Sequence, residues 1–294
     1  MYYRRKIILA LLQLFEGQLD KIKLQKLLFL FTRNQAKAAY DFIPYKYGCY
    51  SQSATADMDT MVAKGFLRDG DNYFLSLDKK DYFKQLKPDD QKNLLEVKAN
   101  YGKMSADGLM RHVYRNYPFY AINSITAPNL LSKEDLDKVE MAKPKGKGTI
   151  LFTIGYEGVS LEEYLVRLLE RDVKVLVDVR NNPLSMKYGF SKSQLKKQCE
   201  KLGITYVHFP EVGIQSDQRQ ELNTQSDYDN LFSVYRKTNL SKTIKAQNAI
   251  LDLLKLNERI ALTCFEANIC QCHRKHLAEA IEQLPGFNYE VIHI

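Results

Sequence analysis

The stretch TILFTIGYEGVSLEEYLVRLLERDVKVLVDVRNNPLS, residues 149–185, runs an apolar strand pattern into a glycine turn, an amphipathic helix and a second apolar strand. Near-continuous Ile, Leu, Val and Phe in both strands suits segments covered on two faces. The helical pattern of residues 160–171 lies between them. The alternation continues through a helix at 191–202, the strand ITYVHF, a helix at about 242–256, the strand RIALTCF, a helix at 273–284 and the closing strand YEVIHI. Strands and helices in strict turn predict an α/β domain over residues 149–294, a mainly parallel sheet with helices on both faces.

Upstream, MAKPKGKGT (141–149) packs Lys, Gly and Pro without apolar periodicity and reads as a linker. Before it, RKIILALLQLF and KIKLQKLLFLF are apolar at helical spacing, and residues 51–64 form a third helix pattern with Ser at its start and Gly65 past its end. GFLRDGDNYFLSL then places Asp-Gly-Asp-Asn between two short apolar strands, a hairpin composition. Three helices and a hairpin predict a mostly α, winged-helix-like domain over residues 1–78. Helical patterns from 79 to 116 and the linker make residues 79–148 a bridge.

A chain of 294 residues suits two domains. No apolar run approaches the roughly 20 residues of a membrane span. MYYRRK leads into an amphipathic stretch rather than a signal peptide, and five cysteines, three of them bunched, suit a reducing compartment. A cytoplasmic protein with no membrane partner is expected. Residues 1–150 hold 25 Lys and Arg against 17 Asp and Glu, while the remainder holds 18 against 18. The basic excess is N-terminal, where it fits either a nucleic-acid partner or ordinary solvated surface.

In a parallel sheet ligands sit beyond the carboxyl ends of the strands, so the residues after each strand are the candidates. The first strand is followed by Gly155, Tyr156, Glu157 and Gly158, a turn whose N–H groups suit an anion or simply shape the chain. The second delivers Asp178 and Arg180, two apart and on one side of the strand, as site residues or an internal ion pair. His208 and Glu211 follow the third. After the fourth come Cys264, Glu266, Cys272, His273 and Arg274. If a helix starts near Cys272, its unpaired N–H groups, its dipole and Arg274 would lower that thiol's pKa. Cys272 then becomes a nucleophile, with His273 or His208 carrying the proton and Glu266 or Glu211 orienting it. In the same geometry Arg180, His273 and Arg274 alternatively grip phosphate, and Cys264 fills the buried end of its strand. Zinc is disfavoured, because only one residue separates Cys270 from Cys272 and His273 is adjacent, whereas paired zinc ligands usually leave two to four residues between them. No metal or other cofactor is expected.

With TIGYEG, LVDVRNNPLS, GFSKSQLKKQCEKLGITYVHFPEVG and ALTCFE followed by CHR, residues 153–274 resemble the domain-of-unknown-function 488 family. The resemblance implies a small α/β domain and points to Glu157, Asp178, Arg180, His208, Cys264, Glu266, Cys272, His273 and Arg274 as motif positions; it implies no reaction. KLQKLLFLF and YKYGCYS, with the helix and hairpin after them, resemble the Panacea antitoxin-like domains, which implies a module that binds protein or nucleic acid. The third helix carries Asp57 and Asp59 with only Lys64, poor chemistry for a phosphate-lined groove and better suited to a protein partner.

Two functions fit. The first is an enzyme acting on a nucleotide, a nucleic-acid base or another phosphate-bearing ligand, with Cys272, His273, Glu266, His208 and Asp178 as catalytic candidates and Gly155, Tyr156, Glu157, Arg180, Glu211 and Arg274 as ligand contacts. The second is a non-catalytic sensor or regulator, antitoxin- or defence-related, that passes ligand binding to DNA or a protein partner through the N-terminal module.

Overall fold

The computed structural model describes residues 1–71, 73–77, 80–215, 218 and 222–294. Asn72 of the expected hairpin turn, and the expected boundary at residues 78 and 79, lie outside them. The chain divides into two compact units, Met1–Lys143 and Pro144–Ile294.

The first unit is mostly helical. It runs α1 (Tyr3–Leu14), β1 (Gln18–Asp20), α2 (Lys21–Arg33), β2 (Ile43–Tyr45), β3 (Gly48–Tyr50), α3 (Gln52–Ala63), β4 (Leu67–Asp69), β5 (Tyr73–Ser76), α4 (Pro88–Tyr101), α5 (Ala106–Asn116), α6 (Ala127–Leu130) and α7 (Lys133–Met141). Caps follow from the sequence: Asp20 accepts from the N–H groups of Ile22 and Lys23, and Ser51 from Ala54. The hairpin β4–β5 forms in antiparallel register, and β1 adds to its free side in the order β1-β5-β4. α1 and α2 supply Ile7 to Leu12 and Leu27 to Phe31 to a core that also takes Leu94, Val97, Leu109 and Val113 from α4 and α5. Asp57, buried on α3, accepts from Arg4, Arg5 and the Tyr40 hydroxyl.

The second unit contains β6 (Ile150–Gly155), α8 (Leu161–Glu170), β7 (Val175–Asp178), α9 (Lys192–Lys201), β8 (Thr205–His208), α10 (Gln225–Thr238), α11 (Ile244–Asn257), β9 (Arg259–Cys264), α12 (His273–Glu282) and β10 (Glu290–His293). All five strands are parallel, in the order β10-β6-β9-β7-β8. The expected α/β architecture is therefore present. Alternate side chains leave the sheet on opposite faces. Leu151, Val175, Val177, Ile260, Leu262 and Cys264 join Phe232, Ile250, Leu254, Leu277 and Ile281 of α10, α11 and α12 in one core. On the other face Tyr164 of α8 donates its hydroxyl to Thr263 and meets Phe190 edge-on. No helix among the described residues is long and apolar enough to cross a membrane, and the five cysteines form no disulfide.

Candidate functional site

Because every strand of the second unit runs the same way, β6, β7, β8 and β9 end on one rim. Register places Gly155 beside Cys264, and Asp178 beside both Thr263 and His208. A cavity of about 310 Å³ opens at this rim, bordered by Tyr156, Arg180, Asn181, Asn182, Cys264 and Phe265 among others. That is the low end of the volumes small ligands occupy.

Asp178 and Arg180 form a closed network. Both are buried, and the guanidinium donates to both carboxylate oxygens at 2.8 and 2.5 Å. Asp178 also accepts from the Arg180 backbone N–H and from the Tyr206 hydroxyl at 2.6 Å. Nη1 of Arg180 donates to the Tyr156 hydroxyl at 2.8 Å and to the Phe190 carbonyl at 3.0 Å. Burial opposes the guanidinium charge, but its hydrogen bonds to Asp178 and the carboxylate charge outweigh this and raise its pKa. Tyr156 stacks on Phe190 with ring centroids 4.3 Å apart. A buried bidentate pair held by further hydrogen bonds on both partners is a rigid wall. Its charge is spent within the protein.

The thiol cluster lies where β9 meets α12. Cys264 Sγ is 3.1 Å from a Glu266 carboxylate oxygen and 3.5 Å from His273 Nδ1. The other His273 nitrogen, Nε2, is 3.0 Å from the Val179 carbonyl. A carbonyl only accepts, so Nε2 carries the proton, and in the neutral ring Nδ1 turns its lone pair to Cys264. One ligand atom each from Cys264, Cys272 and His273 lie within 4.8 Å of one another.

Cys272 does occupy the N-cap of α12, as the sequence suggests, but its side chain makes no capping bond. The expected lowering of its pKa is not found. Burial pushes the thiol well above its ordinary range, the neighbouring Cys264 and Glu266 add to this, and Arg274 offsets little of it. Desolvation of an anion here exceeds the attraction of one helix end. The cysteine that borders the cavity is Cys264.

Residues 160–281 match the family described as Domain of unknown function DUF488. No curated protein matches the chain. The DUF488 region holds β7, β8, β9, α12 up to Ile281 and the whole thiol cluster; the GYEG turn lies just before it.

That turn does not offer its N–H groups to an anion. Those of Tyr156 and Glu157 both donate to the Phe265 carbonyl, at 3.1 and 2.9 Å. A Cβ on Gly155 would stand 2.0 Å from the Glu266 carbonyl oxygen, so glycine is required for the approach of the Cys264–Ala267 turn. Glu157 accepts from the Ala267 N–H at 3.0 Å and ties the same two loops together. Arg274 is buried and donates to the Glu266 and Ala267 carbonyls. These bonds hold the turn, while Arg274 Nε is buried without a hydrogen-bond partner among the described residues. His208 Nε2 is 2.8 Å from the Arg180 carbonyl and Nδ1 is 2.9 Å from Lys192 Nζ, so both ring nitrogens are engaged. Glu211 is exposed on the 3-10 turn Pro210–Val212. The structure thus brings Cys264, Glu266, Cys272 and His273 together in the DUF488 region, while Gly155, Glu157, Asp178, Arg180, His208 and Arg274 build the loops around them. Sequence reasoning passed over Asn181, Asn182, Tyr206 and Phe265. The first two were visible as consecutive amides straight after Arg180, at the end of a strand.

Proposed function

We propose that the C-terminal unit is an enzyme acting on a ligand with a planar, polar ring, a nucleobase, nucleoside or nucleotide, with Cys264, His273 and Glu266 as its reacting group. One observation carries this reading: Cys264, a residue that borders the cavity, holds its thiol within reach of an oriented imidazole and a carboxylate. Such a constellation moves protons and activates a nucleophile. The exposed Phe265 ring with the Asn181 and Asn182 amides suits a base, whose face stacks and whose edge exchanges hydrogen bonds. Phosphate is a weaker anchor, because Arg180 is paired with Asp178 and the buried Arg274 does not border the cavity. Catalysis passes from Cys272, the candidate of the sequence, to Cys264.

In the first unit, the succession of α1, β1, α2, α3 and the β4–β5 hairpin, with β1 on the edge of that hairpin, supports a winged-helix-like, Panacea-like module. Asp57 on α3 pairs with Arg4 and Arg5 and offsets one of their two charges, and α3 itself carries no basic residue, so a protein partner fits that face better than DNA.

The test is incubation of the full chain with a mixture of nucleobases, nucleosides and nucleotides, followed by mass spectrometry. Consumption of one compound, lost in Cys264→Ala at unchanged melting temperature, is the expected result. Retention of a compound unchanged would favour a sensor, and neither consumption nor retention would remove the reading.

A further inference from the structure

Linear spacing disfavoured zinc by pairing Cys272 with Cys270. Folding selects a different partner: Cys270 is exposed on the turn Ile269–Gln271, while Cys264 arrives from the end of β9. Cys272 has an extended backbone, φ −127° and ψ 133°, and His273 is the first helical residue. This change of direction lets two adjacent side chains close on a third.

We propose that Cys264, Cys272 and His273 bind one zinc-type divalent cation, whose fourth position is left to water or to a ligand in the cavity that Cys264 borders. Their ligand atoms lie within 4.8 Å of one another. Donors in a tetrahedral zinc site stand about 3.3–3.8 Å apart, given bond lengths of about 2.0–2.3 Å, so small side-chain rotations close the shell. His273 is already set for this. Its Nε2–H is held by the Val179 carbonyl and its Nδ1 faces Cys264, the outer hydrogen bond that fixes a metal-binding imidazole. Two sulfurs and an imidazole select a thiophilic ion over magnesium or calcium.

Three protein ligands with one open position are the pattern of catalytic rather than structural zinc. Glu266, 3.1 Å from Cys264 Sγ, is close enough to take a proton from bound water, which leaves a metal-bound hydroxide and a protonated carboxyl group. That hydroxide would be the nucleophile and Glu266 its base, in place of Cys264 and His273, which the metal would hold; this role rests on the cavity being the functional site, and binding of the cation does not.

The experiment uses the full chain, reduced, stripped with a chelator and titrated with Co²⁺. Binding at one ion per chain should give a thiolate-to-cobalt charge-transfer band and the visible bands of a tetrahedral ion, both removed by Zn²⁺. The charge-transfer band should vanish in Cys264→Ser and Cys272→Ser and persist in Cys270→Ser. Absence of the band in the unaltered chain overturns the proposal whatever the variants do, and so does its loss in Cys270→Ser alone. If a panel compound is consumed by chain that binds no cobalt, the metal proposal falls and the cavity reading stands. Cobalt bound by the cluster with no compound consumed does the reverse.

Discussion

Cys264 and Cys272 differ in what surrounds them rather than in what they are. Cys272 has the position that sequence logic favours, the start of a helix, yet burial, with Cys264 and Glu266 beside it, raises the pKa of its thiol. The folded state holds that pKa up, so reaction through the thiolate stays suppressed as pH rises through the range of an ordinary cysteine. Peptide-resolved labelling with iodoacetamide at neutral pH should therefore modify exposed Cys270 well before Cys272, and the two should react alike only after unfolding. The same logic applies to charge. Arg180→Ala would leave Asp178 buried with only the Arg180 backbone N–H and Tyr206 as donors, and removing one partner of a buried pair costs about 3–5 kcal/mol. Denaturant unfolding should show a loss of that order; a loss near zero would mean that Arg180 was available to a ligand. The sequence allowed an internal Asp178–Arg180 pair as one of two readings, but showed neither how many other donors and acceptors close around it nor the burial of Cys272.

At the scale of elements much more was legible. The five strands were recognisable because a sheet covered on both faces needs continuous apolar runs, and α8, α9, α11 and α12 because each keeps its apolar positions at helical spacing. α10 escaped because QSDYDNLFSVYRKT is polar over most of its surface and buries Phe232 and Tyr235 but little else. β1, β2 and β3 are three residues each, too short for an alternation to show. The GYEG turn was recognised as a special backbone site, but its glycine serves chain approach. Gly155→Ala would force the Glu266 carbonyl away from a Cβ only 2.0 Å distant. Overpacking of this kind typically costs about 1–3 kcal/mol. Because the displaced turn carries Glu266, activity should fall further than stability alone explains, measured as turnover well below the melting temperature.

Over the whole molecule, the two units have separate cores. The functional reading rests on what the second unit assembles from distant parts of its chain. Parallel strands made the shared rim legible, since all their carboxyl ends must meet there. Which residues would touch was not legible, because Cys264 and His273 belong to different elements and their 3.5 Å separation is a product of packing. Groups that work as one unit lose their effect together, so removing the second costs little once the first is gone. The most direct test compares turnover of the consumed compound by Cys264→Ala, His273→Gln and the double variant, each shown to be folded by its melting temperature. The double variant should be no slower than the worse single one; losses that multiply would mean that the two side chains act separately, and the proposed reacting group would not exist.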